Sequence, residues 1–239
     1  LAVIFGLGLP FSGIYIKDSL NDKIQSKRDV HRGTSTPILG QISHNSTGKN
    51  LIVTEESGTS IAELFRLVRS NLQFATAGKE NKVVLITSST SGEGKTFFSI
   101  NLAASLTLID KVSIEDILRP HENVPGLFIA SSGSLPPNPA ELMSSDNLAQ
   151  LINKLKASFD YIIIDTAPVG KVADAYSLSG HVDSTIYIVR YNYTSKHQLE
   201  LIQDIYANKK FAHPMIVLND AKEETPHAYG YGYNYGYKR

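Results

Sequence analysis

The distribution of apolar residues predicts strands that alternate with helices along most of the chain. The run VVLIT (83–87) is continuous and uncharged, which is typical of a strand buried on both faces of a parallel sheet. Similar runs are GLFIAS (126–131), YIIID (161–165), STIYIVR (184–190) and MIVLN (215–219), separated by helical patterns over 96–108, 148–159 and 195–209. The alternation predicts an α/β fold of the P-loop NTPase type, a mostly parallel sheet with helices on both faces.

Another helix is expected to begin near Ser60, where Ser60 and Glu63 have capping-box spacing. Its predicted apolar stripe consists of Ile61, Leu64, Phe65, Val68 and Leu72. The preceding segment, 17–58, is polar and broken by Gly, Pro and Ser, which indicates a linker. Within it, PILGQI (37–42) predicts one short strand.

The first 16 residues, LAVIFGLGLPFSGIYI, carry no charge and are followed by an excess of basic residues. As a helix they would reach about 24 Å, short of a bilayer core. A signal peptide is not indicated, because no basic region precedes the apolar run and no small-residue cleavage site follows it. We expect the C-terminal part of a transmembrane helix, with the chain beyond it in the cytoplasm. A buried core helix stays open as the alternative.

The amino-acid composition argues against several classes of function. Lys and Arg number 23, as do Asp and Glu, so no basic excess suggests a nucleic-acid partner. The chain has no cysteine, which excludes disulfides and thiol chemistry. The seven histidines are scattered, and no Ser-His-Asp set or metal-ligand spacing stands out.

The strongest chemical signal is SGEGKT (91–96), between a predicted strand and helix. Glycines let a backbone wrap around phosphates, and the helix N-terminus adds its dipole. Lys95 can reach the β- and γ-phosphates, and the Thr96 hydroxyl can bind Mg²⁺. The predicted nucleotide contacts are Ser91, Gly92, Glu93, Gly94, Lys95, Thr96 and Phe97. The usual first glycine is Ser89 here, so a Gly-rich turn with a chance lysine is the competing interpretation.

An acidic residue follows the apolar run 161–164. Asp165 at the tip of a strand beside the P-loop strand would point into the ligand crevice and hold Mg²⁺ together with Thr96. An ordinary strand-end Asp that starts a turn is the alternative. Asp174 is a weaker candidate and is better explained as a helix start.

Several motifs in order resemble those of the bacterial tyrosine kinases (BY-kinases), the cytoplasmic part of capsule and exopolysaccharide co-polymerases. An apolar N-terminal segment is followed by Glu63-x-x-Arg66-x-x-Arg69, SGEGKT, GSLPPNPAEL (133–142), IIIDTAP (162–168) and a tyrosine-rich end. The P-loop alone is shared by many ATPases, whereas the combination is specific. The resemblance runs from about Leu1 to the C-terminus.

The resemblance implies a tyrosine autokinase with ATP and Mg²⁺ as cofactors and with Lys95 and Asp165 as catalytic residues. Its phosphoacceptors would be Tyr229, Tyr231, Tyr233, Tyr235 and Tyr237, in a disordered tail that enters a neighbour's site. It also implies that Glu63, Arg66 and Arg69 contact the next subunit of a ring-like homo-oligomer, with an octamer as one size. Their spacing alone favours an internal salt-bridged face, and the resemblance reverses that preference.

The implied domains are a transmembrane part (1–16), a juxtamembrane linker (17–58), a kinase domain (59–225) and the tail (226–239). The protein would sit in the inner membrane with this domain facing the cytoplasm and, by the resemblance, with an external domain before Leu1. The implied partners are the polysaccharide polymerisation and export machinery and a cognate tyrosine phosphatase.

One expected strand is missing from the pattern. A right-handed crossover from the P-loop strand needs a second strand near Val112, but 113–118 opens another helical pattern. We therefore infer that a segment is missing here. By the resemblance, the missing strand would carry the family's second acidic motif. If the protein truly lacks it, nucleotide could bind while catalysis is impaired. If only the printed sequence lacks it, the kinase interpretation stands.

Three other functions stay open. A MinD/ParA-like membrane ATPase would share the fold, but such proteins usually have a signature lysine where Thr90 stands. A polysaccharide co-polymerase module with impaired catalysis would bind without transferring phosphate. A membrane anchor without nucleotide would leave the P-loop and Asp165 unexplained.

Overall fold

Five parallel strands form the central sheet. The computed structural model describes residues 21–54, 57, 59–76, 81–107, 118–130, 146–169 and 174–221. Its strands are β1 (Ile38–Ser43), β2 (Val83–Ser88), β3 (Arg119–Pro120), β4 (Phe128–Ile129), β5 (Ile162–Asp165), β6 (Ser184–Arg190) and β7 (Pro214–Ala221). The central sheet has the order β1-β7-β6-β2-β5, and every neighbouring pair in it is parallel. The predicted α/β class is therefore confirmed.

Helices cover both faces of this sheet. They are α1 (Lys27–Gly33), α2 (Ser60–Ala75), α3 (Lys95–Thr107), α4 (Asp146–Ser158), α5 (Asp174–Ser177) and α6 (Leu199–Ala207), with short 3-10 turns at Ser179–His181 and Lys196–Gln198. One hydrophobic core lies beneath α2 and α3, and the other beneath α1, α4 and α6. Asp174 begins α5, as expected of a helix-start residue.

Strand β2 contributes to both cores because side chains alternate across a strand. Val84 and Ile86 belong to the core under α2 and α3, whereas Val83 and Leu85 belong to the opposite one. All four side chains are fully buried. Burying each contributes about 1.5–3 kcal/mol, so the uninterrupted apolar run is what fixes β2 in the interior of the sheet, between β6 and β5.

The segment expected to be a linker belongs to the folded domain over its described part. Ile24, Val30 and Ile42 are completely buried, and β1 pairs in parallel with β7 along the sheet edge. Gly40 permits this packing, because a Cβ there would lie 2.6 Å from a methyl carbon of Val68 on α2. The apolar residues of the segment are isolated between polar ones, so composition alone did not reveal their burial.

A buried amide fixes the end of this N-terminal segment to α3. The Oδ1 atom of Asn101 accepts hydrogen bonds from the N–H groups of Ile52 and Val53, at 2.7 and 3.1 Å. Its Nδ2 atom donates to the carbonyls of Asn50 and Phe97, at 2.7 and 2.8 Å. Because all four contacts are to backbone, Asn101 substitutes for a missing strand partner.

Helix α2 matches its predicted stripe, but its cap differs by one residue. Ile61, Phe65, Val68 and Leu72 are buried, and Leu64 packs partly buried beside them. Thr59, not Ser60, is the N-cap, since its side-chain oxygen accepts a hydrogen bond from the N–H of Ala62. Both residues can cap a helix, and the local pattern did not distinguish them.

The predicted strand at 126–131 does not join the parallel sheet. Among its described residues, 126–130, only Phe128–Ile129 forms a strand, and it pairs antiparallel with Arg119–Pro120 in a separate two-stranded sheet. A turn precedes it, in which the N–H of His121 donates to the Leu127 carbonyl at 2.8 Å. Gly126 has a φ of +82° in this turn. The first residues of the predicted strand therefore belong to the turn and are not extended.

Several predicted features lie outside the described residues. They are the transmembrane part (1–16), the missing segment near Val112, the proline-rich motif (133–142) and the tyrosine-rich tail (226–239). Within the described ranges, no helix has the length and apolar character needed to cross a bilayer.

Asp183 stabilises the start of β2. Its Oδ2 atom accepts hydrogen bonds from the N–H groups of Lys82 and Val83, at 2.9 and 2.8 Å, and its Oδ1 atom lies 3.1 Å from the Lys156 ammonium. Partial burial acts to raise the pKa of Asp183, but these hydrogen bonds outweigh it and hold the pKa below the ordinary 3.8.

We expect Asp183→Asn to lower the free energy of unfolding by about 1–3 kcal/mol near neutral pH, because the charged acceptor is lost. A carboxyl group whose pKa is lower in the folded than in the unfolded state stabilises the fold fully at a pH above its unfolded-state pKa. That stabilisation is lost as the pH falls through the folded-state pKa. In urea titrations, the difference in unfolding free energy between wild type and variant should therefore become smaller as the pH falls below 3.8, the ordinary pKa of an aspartate. The exposed Asp160→Asn is the matched control. A difference that is constant with pH would contradict the assignment.

Candidate nucleotide-binding site

The candidate site lies where the strands β2, β5, β6 and β7 end. Carboxyl ends of parallel strands meet at one edge of a sheet, where α/β proteins bind ligands. The loop 89–94 leaves β2 at this edge and enters α3. Asp165 ends β5 as the register partner of Ile86, two residues before β2 ends. The fold thus brings the loop and the acidic residue to the same place.

Thr96 and Asp165 are in direct contact. The Thr96 hydroxyl donates a hydrogen bond to the Oδ2 atom of Asp165 at 2.6 Å, and both residues are exposed at the surface. Two oxygen donors so close together suit Mg²⁺, which takes one or two protein oxygens and completes its shell with phosphates and water. No group of three or more His, Asp or Glu side chains suited to a metal occurs among the described residues.

The Lys95 side chain folds back across the loop. Its ammonium donates to the Ser88 hydroxyl at 2.9 Å and to the Thr90 carbonyl at 3.4 Å. Lys95 is also the first residue of α3, so its positive charge adds to that of the helix N-terminus. This combination attracts anions such as phosphate.

Both predicted glycines are required by the loop geometry. Gly92 and Gly94 have φ angles of +84° and +93°, which side chains rarely tolerate. A Cβ at Gly94 would lie 2.2 Å from the Nδ2 atom of Asn219. The carbonyl of Gly94 then accepts the N–H of Phe98 at 2.9 Å, which starts the hydrogen bonds of α3.

The Glu93 side chain braces the loop from inside. It is fully buried, and its carboxylate accepts hydrogen bonds from the Thr90 N–H at 2.8 Å and from the Thr194 hydroxyl. The predicted nucleotide contact of Glu93 can therefore involve only its backbone N–H. Burying a carboxylate is costly unless it is hydrogen-bonded, and these two donors meet that requirement.

The two ends of the predicted loop behave differently. Ser91 is exposed, and its carbonyl accepts a hydrogen bond from the Tyr193 hydroxyl at 2.8 Å. The Phe97 side chain packs against the hydrophobic core, with its ring centroid 5.8 Å from that of Phe65. A nucleotide contact at Phe97 would thus come from its backbone.

Ser89, the departure from the usual glycine, has a structural role. Its hydroxyl lies 2.7 Å from the Tyr187 hydroxyl on β6, and both residues are buried. Burial raises the pKa of the Tyr187 phenol well above its ordinary value, against the opposing effect of the Ser89 hydrogen bond. The phenol thus remains protonated and needs a partner, which a glycine could not provide.

Sequence reasoning missed the residues that approach the loop from β6 and β7. They are Arg190, Tyr193, Thr194, Asn219 and Asp220. Arg190 donates to the Gly92 carbonyl at 2.8 Å and, through Nε, to Asp220 at 2.9 Å. The sequence did contain one signal for them. Arg190 and Asn219 end two runs that were predicted to be parallel strands, and such strand ends meet at the edge of the sheet where the loop lies.

The proposed subunit-contact residues make local contacts within this chain. Arg66 pairs with Glu63 and donates to the Ser57 carbonyl at 2.9 Å. Arg69 donates to the carbonyl of Ser105, near the C-terminal end of α3. The internal face considered as the alternative is therefore present in the single chain, and the intersubunit role stays a prediction.

A glycine loop between a buried parallel strand and a helix, facing an acidic strand end, defines a P-loop nucleotide-binding protein of the α/β class. Over 200 residues the chain is 34% identical to the tyrosine-protein kinase CpsD of Streptococcus agalactiae serotype III (strain NEM316), covering 67% of this chain and 83% of that protein. It is 29% identical over 216 residues to the tyrosine-protein kinase YwqD of Bacillus subtilis (strain 168), covering 77% and 91%. The chain belongs to the bacterial tyrosine-protein kinase family. No family model matches it.

Solved structures agree with this fold. The chimerical protein CapA2B2 superposes with a TM-score of 0.71 at 27% identity, covering 83% of this chain and all of that one. The kinase domain of the Escherichia coli tyrosine kinase ETK gives a TM-score of 0.71 at 20% identity, covering 88% of this chain and 100% of that one. At that identity the second match shows the fold alone.

Two observations support the hypothesis of a missing segment. The putative tyrosine-protein kinase EpsB of Ralstonia solanacearum aligns over 287 residues at 26% identity, covering all of this chain and 38% of that protein. This chain has 239 residues, so at least 287 minus 239, or 48, aligned positions have no residue here. In addition, β5 is at the edge of the described sheet, and its three isoleucines are only half-buried.

We expect Ser89→Gly, which restores the usual P-loop glycine, to lower the free energy of unfolding by about 1–3 kcal/mol, because the buried Tyr187 hydroxyl loses its partner. Chemical denaturation measures this. The double variant Ser89→Ala/Tyr187→Phe is the control, since removing both partners leaves no buried polar group unpaired. A Ser89→Gly protein as stable as wild type would show that this hydrogen bond contributes little.

Proposed function

We propose that the chain is the catalytic domain of an ATP-dependent protein-tyrosine kinase. The observation that carries this proposal is the 2.6 Å contact between Thr96 and Asp165 at the end of the P-loop. Membership of the tyrosine-protein kinase family supports the choice of reaction, because the relatives CpsD and YwqD carry that name. A P-loop alone would fit many ATPases.

The proposed site residues divide the work of phosphoryl transfer. The N–H groups of the loop and the Lys95 ammonium bind and orient the β- and γ-phosphates. Thr96 and Asp165 would hold Mg²⁺, which when bound neutralises charge on the phosphate oxygens. The bond from the tyrosine oxygen to the γ-phosphorus forms as the bond to the β,γ-bridging oxygen breaks, the phenol releases its proton to water, and ADP leaves. Positioning and electrostatic stabilisation account for most of the catalysis.

The proposed acceptors are the five tail tyrosines, Tyr229, Tyr231, Tyr233, Tyr235 and Tyr237. A single Gly or Asn separates each of these tyrosines from the next, and such a polar, glycine-rich segment can extend into the site of a neighbouring subunit. Transfer in trans requires an oligomer. We place Glu63, Arg66 and Arg69 at its contact, where the exposed Glu63 carboxylate could pair with an arginine of the next subunit.

We also propose a cellular setting. The domain faces the cytoplasm at the inner membrane and acts with the polysaccharide polymerisation and export machinery, and a tyrosine phosphatase reverses its modification. Support comes from the name of one relative, a putative tyrosine-protein kinase in the cps region of Klebsiella pneumoniae, which is 26% identical over 253 residues and aligns with 92% of this chain and 33% of its own length.

We expect Lys95→Met and Asp165→Asn each to reduce phosphate transfer to the protein by about 10²-fold or more, because each removes charge that stabilises the transferring group. The measurement is incorporation of label from γ-labelled ATP with Mg²⁺, followed by mapping of the labelled residues. Lys49→Met, in an exposed loop, is the matched control and should leave incorporation unchanged.

The same assay separates the alternatives. Label on the tail tyrosines supports the kinase, whereas release of free phosphate without label on protein indicates a MinD/ParA-like ATPase. Nucleotide binding with neither product indicates a co-polymerase module with impaired catalysis. The last result would also be expected if the second acidic motif of the family is absent from the protein.

Phosphorylation of the tail should weaken the oligomer. Five phosphotyrosines would add about −8 to −10 charges to each tail, and like charges crowded in a ring repel. Native mass spectrometry of phosphorylated and phosphatase-treated protein should show smaller assemblies in the phosphorylated sample. A variant with Phe at all five tyrosines is the control and should not respond to ATP. Identical distributions in both samples would exclude this switch.

A further inference from the structure

Three successive peptide groups of the P-loop are each held by one side chain, which comes from the end of β6, from the turn that follows it, or from β7. The Ser91 carbonyl accepts a hydrogen bond from the Tyr193 hydroxyl at 2.8 Å, and the Gly92 carbonyl accepts one from the Nη1 atom of Arg190 at 2.8 Å. The Glu93 carbonyl accepts one from the Nδ2 atom of Asn219 at 3.0 Å. Loop carbonyls that would otherwise be free to turn are thus fixed on one side.

Fixing a carbonyl also fixes the next N–H. In a trans peptide, the C=O of one residue and the N–H of the following residue point in opposite directions, and the peptides of this loop are trans. The N–H groups of Gly92, Glu93 and Gly94 are therefore directed away from Tyr193, Arg190 and Asn219. Within the described part of the chain, none of these three N–H groups has an acceptor.

The holding side chains are themselves braced. The Arg190 guanidinium donates to Asp220 at 2.9 Å and lies 5.2 Å from the centre of the Tyr193 ring. The N–H of Arg190 donates to the Thr194 hydroxyl, which in turn donates to the buried Glu93 carboxylate. A loop attached in this way to the strand ends β6 and β7 keeps the rigidity of the sheet.

We propose that Tyr193 and Arg190 are positioning residues that aim the N–H groups of Gly92 and Glu93 at the phosphates of ATP. They contact loop carbonyls on the side opposite to those N–H groups, so they act through the loop. Gly92 admits this contact, since a Cβ there would lie 2.8 Å from the Tyr193 hydroxyl. The inference rests on the proposed nucleotide-binding function and assigns residues to it that the P-loop pattern does not contain.

The test removes one hydrogen bond while keeping the ring. Tyr193→Phe deletes the hydroxyl that holds the Ser91 carbonyl and leaves the aromatic face beside Arg190. Its matched control is Tyr161→Phe, which deletes a hydroxyl that accepts a hydrogen bond from Gln73 at 3.2 Å, just before β5 at the other end of the sheet. Dissociation constants are measured by calorimetry for MgATP, MgADP and inorganic tripolyphosphate.

We expect Tyr193→Phe to weaken binding of all three ligands by about three- to tenfold, the effect of losing one hydrogen bond. Tyr161→Phe should bind them like wild type. Arg190→Lys, which loses the planar fork that reaches both Gly92 and Asp220, should weaken binding by about tenfold. In the kinase assay, the KM for ATP should rise with little change in kcat, because the N–H groups bind the phosphates equally well in the ground state and in the transition state.

Each other result overturns the inference in a recognisable way. If Tyr193→Phe weakens ATP binding but leaves tripolyphosphate unaffected, Tyr193 contacts the base and does not position the loop. If the variants lose thermal stability and kcat at unchanged KM, the contacts are only structural. Unchanged binding by Tyr193→Phe disproves the positioning role alone. A wild type that binds none of the three ligands disproves the proposed function as well.

Discussion

The parallel pairing of β2 with both of its neighbours is the constraint on which the rest of the molecule depends. It sets β5 and β6 in register with the strand that precedes the P-loop, so that three strand ends meet at one edge. The backbone hydrogen bonds of the sheet and the two hydrophobic cores hold this register together. The Thr96–Asp165 contact and the braced Glu93 lie at these ends, and the end of β7 adds Asn219.

Features encoded by neighbouring residues could be predicted from the sequence. The run before the P-loop, the two glycines with positive φ and the acidic end of β5 all follow from local pattern, and the structure brings the last two together. Arg190, Tyr193 and Asn219 could not be found in this way. They are separated from the loop residues that they contact by 98, 102 and 126 positions, so their role depends on the strand order.

Two errors show where local patterns mislead. The segment 17–58 looked like a linker because its apolar residues are isolated, yet in its described part Ile24, Val30 and Ile42 are each completely buried by elements far along the chain. The run at 126–131 looked like a sheet strand, but a turn leaves only Phe128–Ile129 extended. The departure at Ser89 did not mislead the P-loop prediction, but its reason, the buried Tyr187 hydroxyl opposite it, is visible only in the structure.

The bracing of the loop by β6 and β7 also has a consequence for biogenesis. During translation, the glycine loop is synthesised long before the C-terminal ends of β6 and β7 that hold it, since β7 ends only at Ala221. A nascent chain therefore cannot assemble the braced loop until almost the whole domain has emerged. The tyrosines that begin at Tyr229 follow within a few residues. The braced loop and the tyrosine-rich end are therefore completed at nearly the same moment of synthesis.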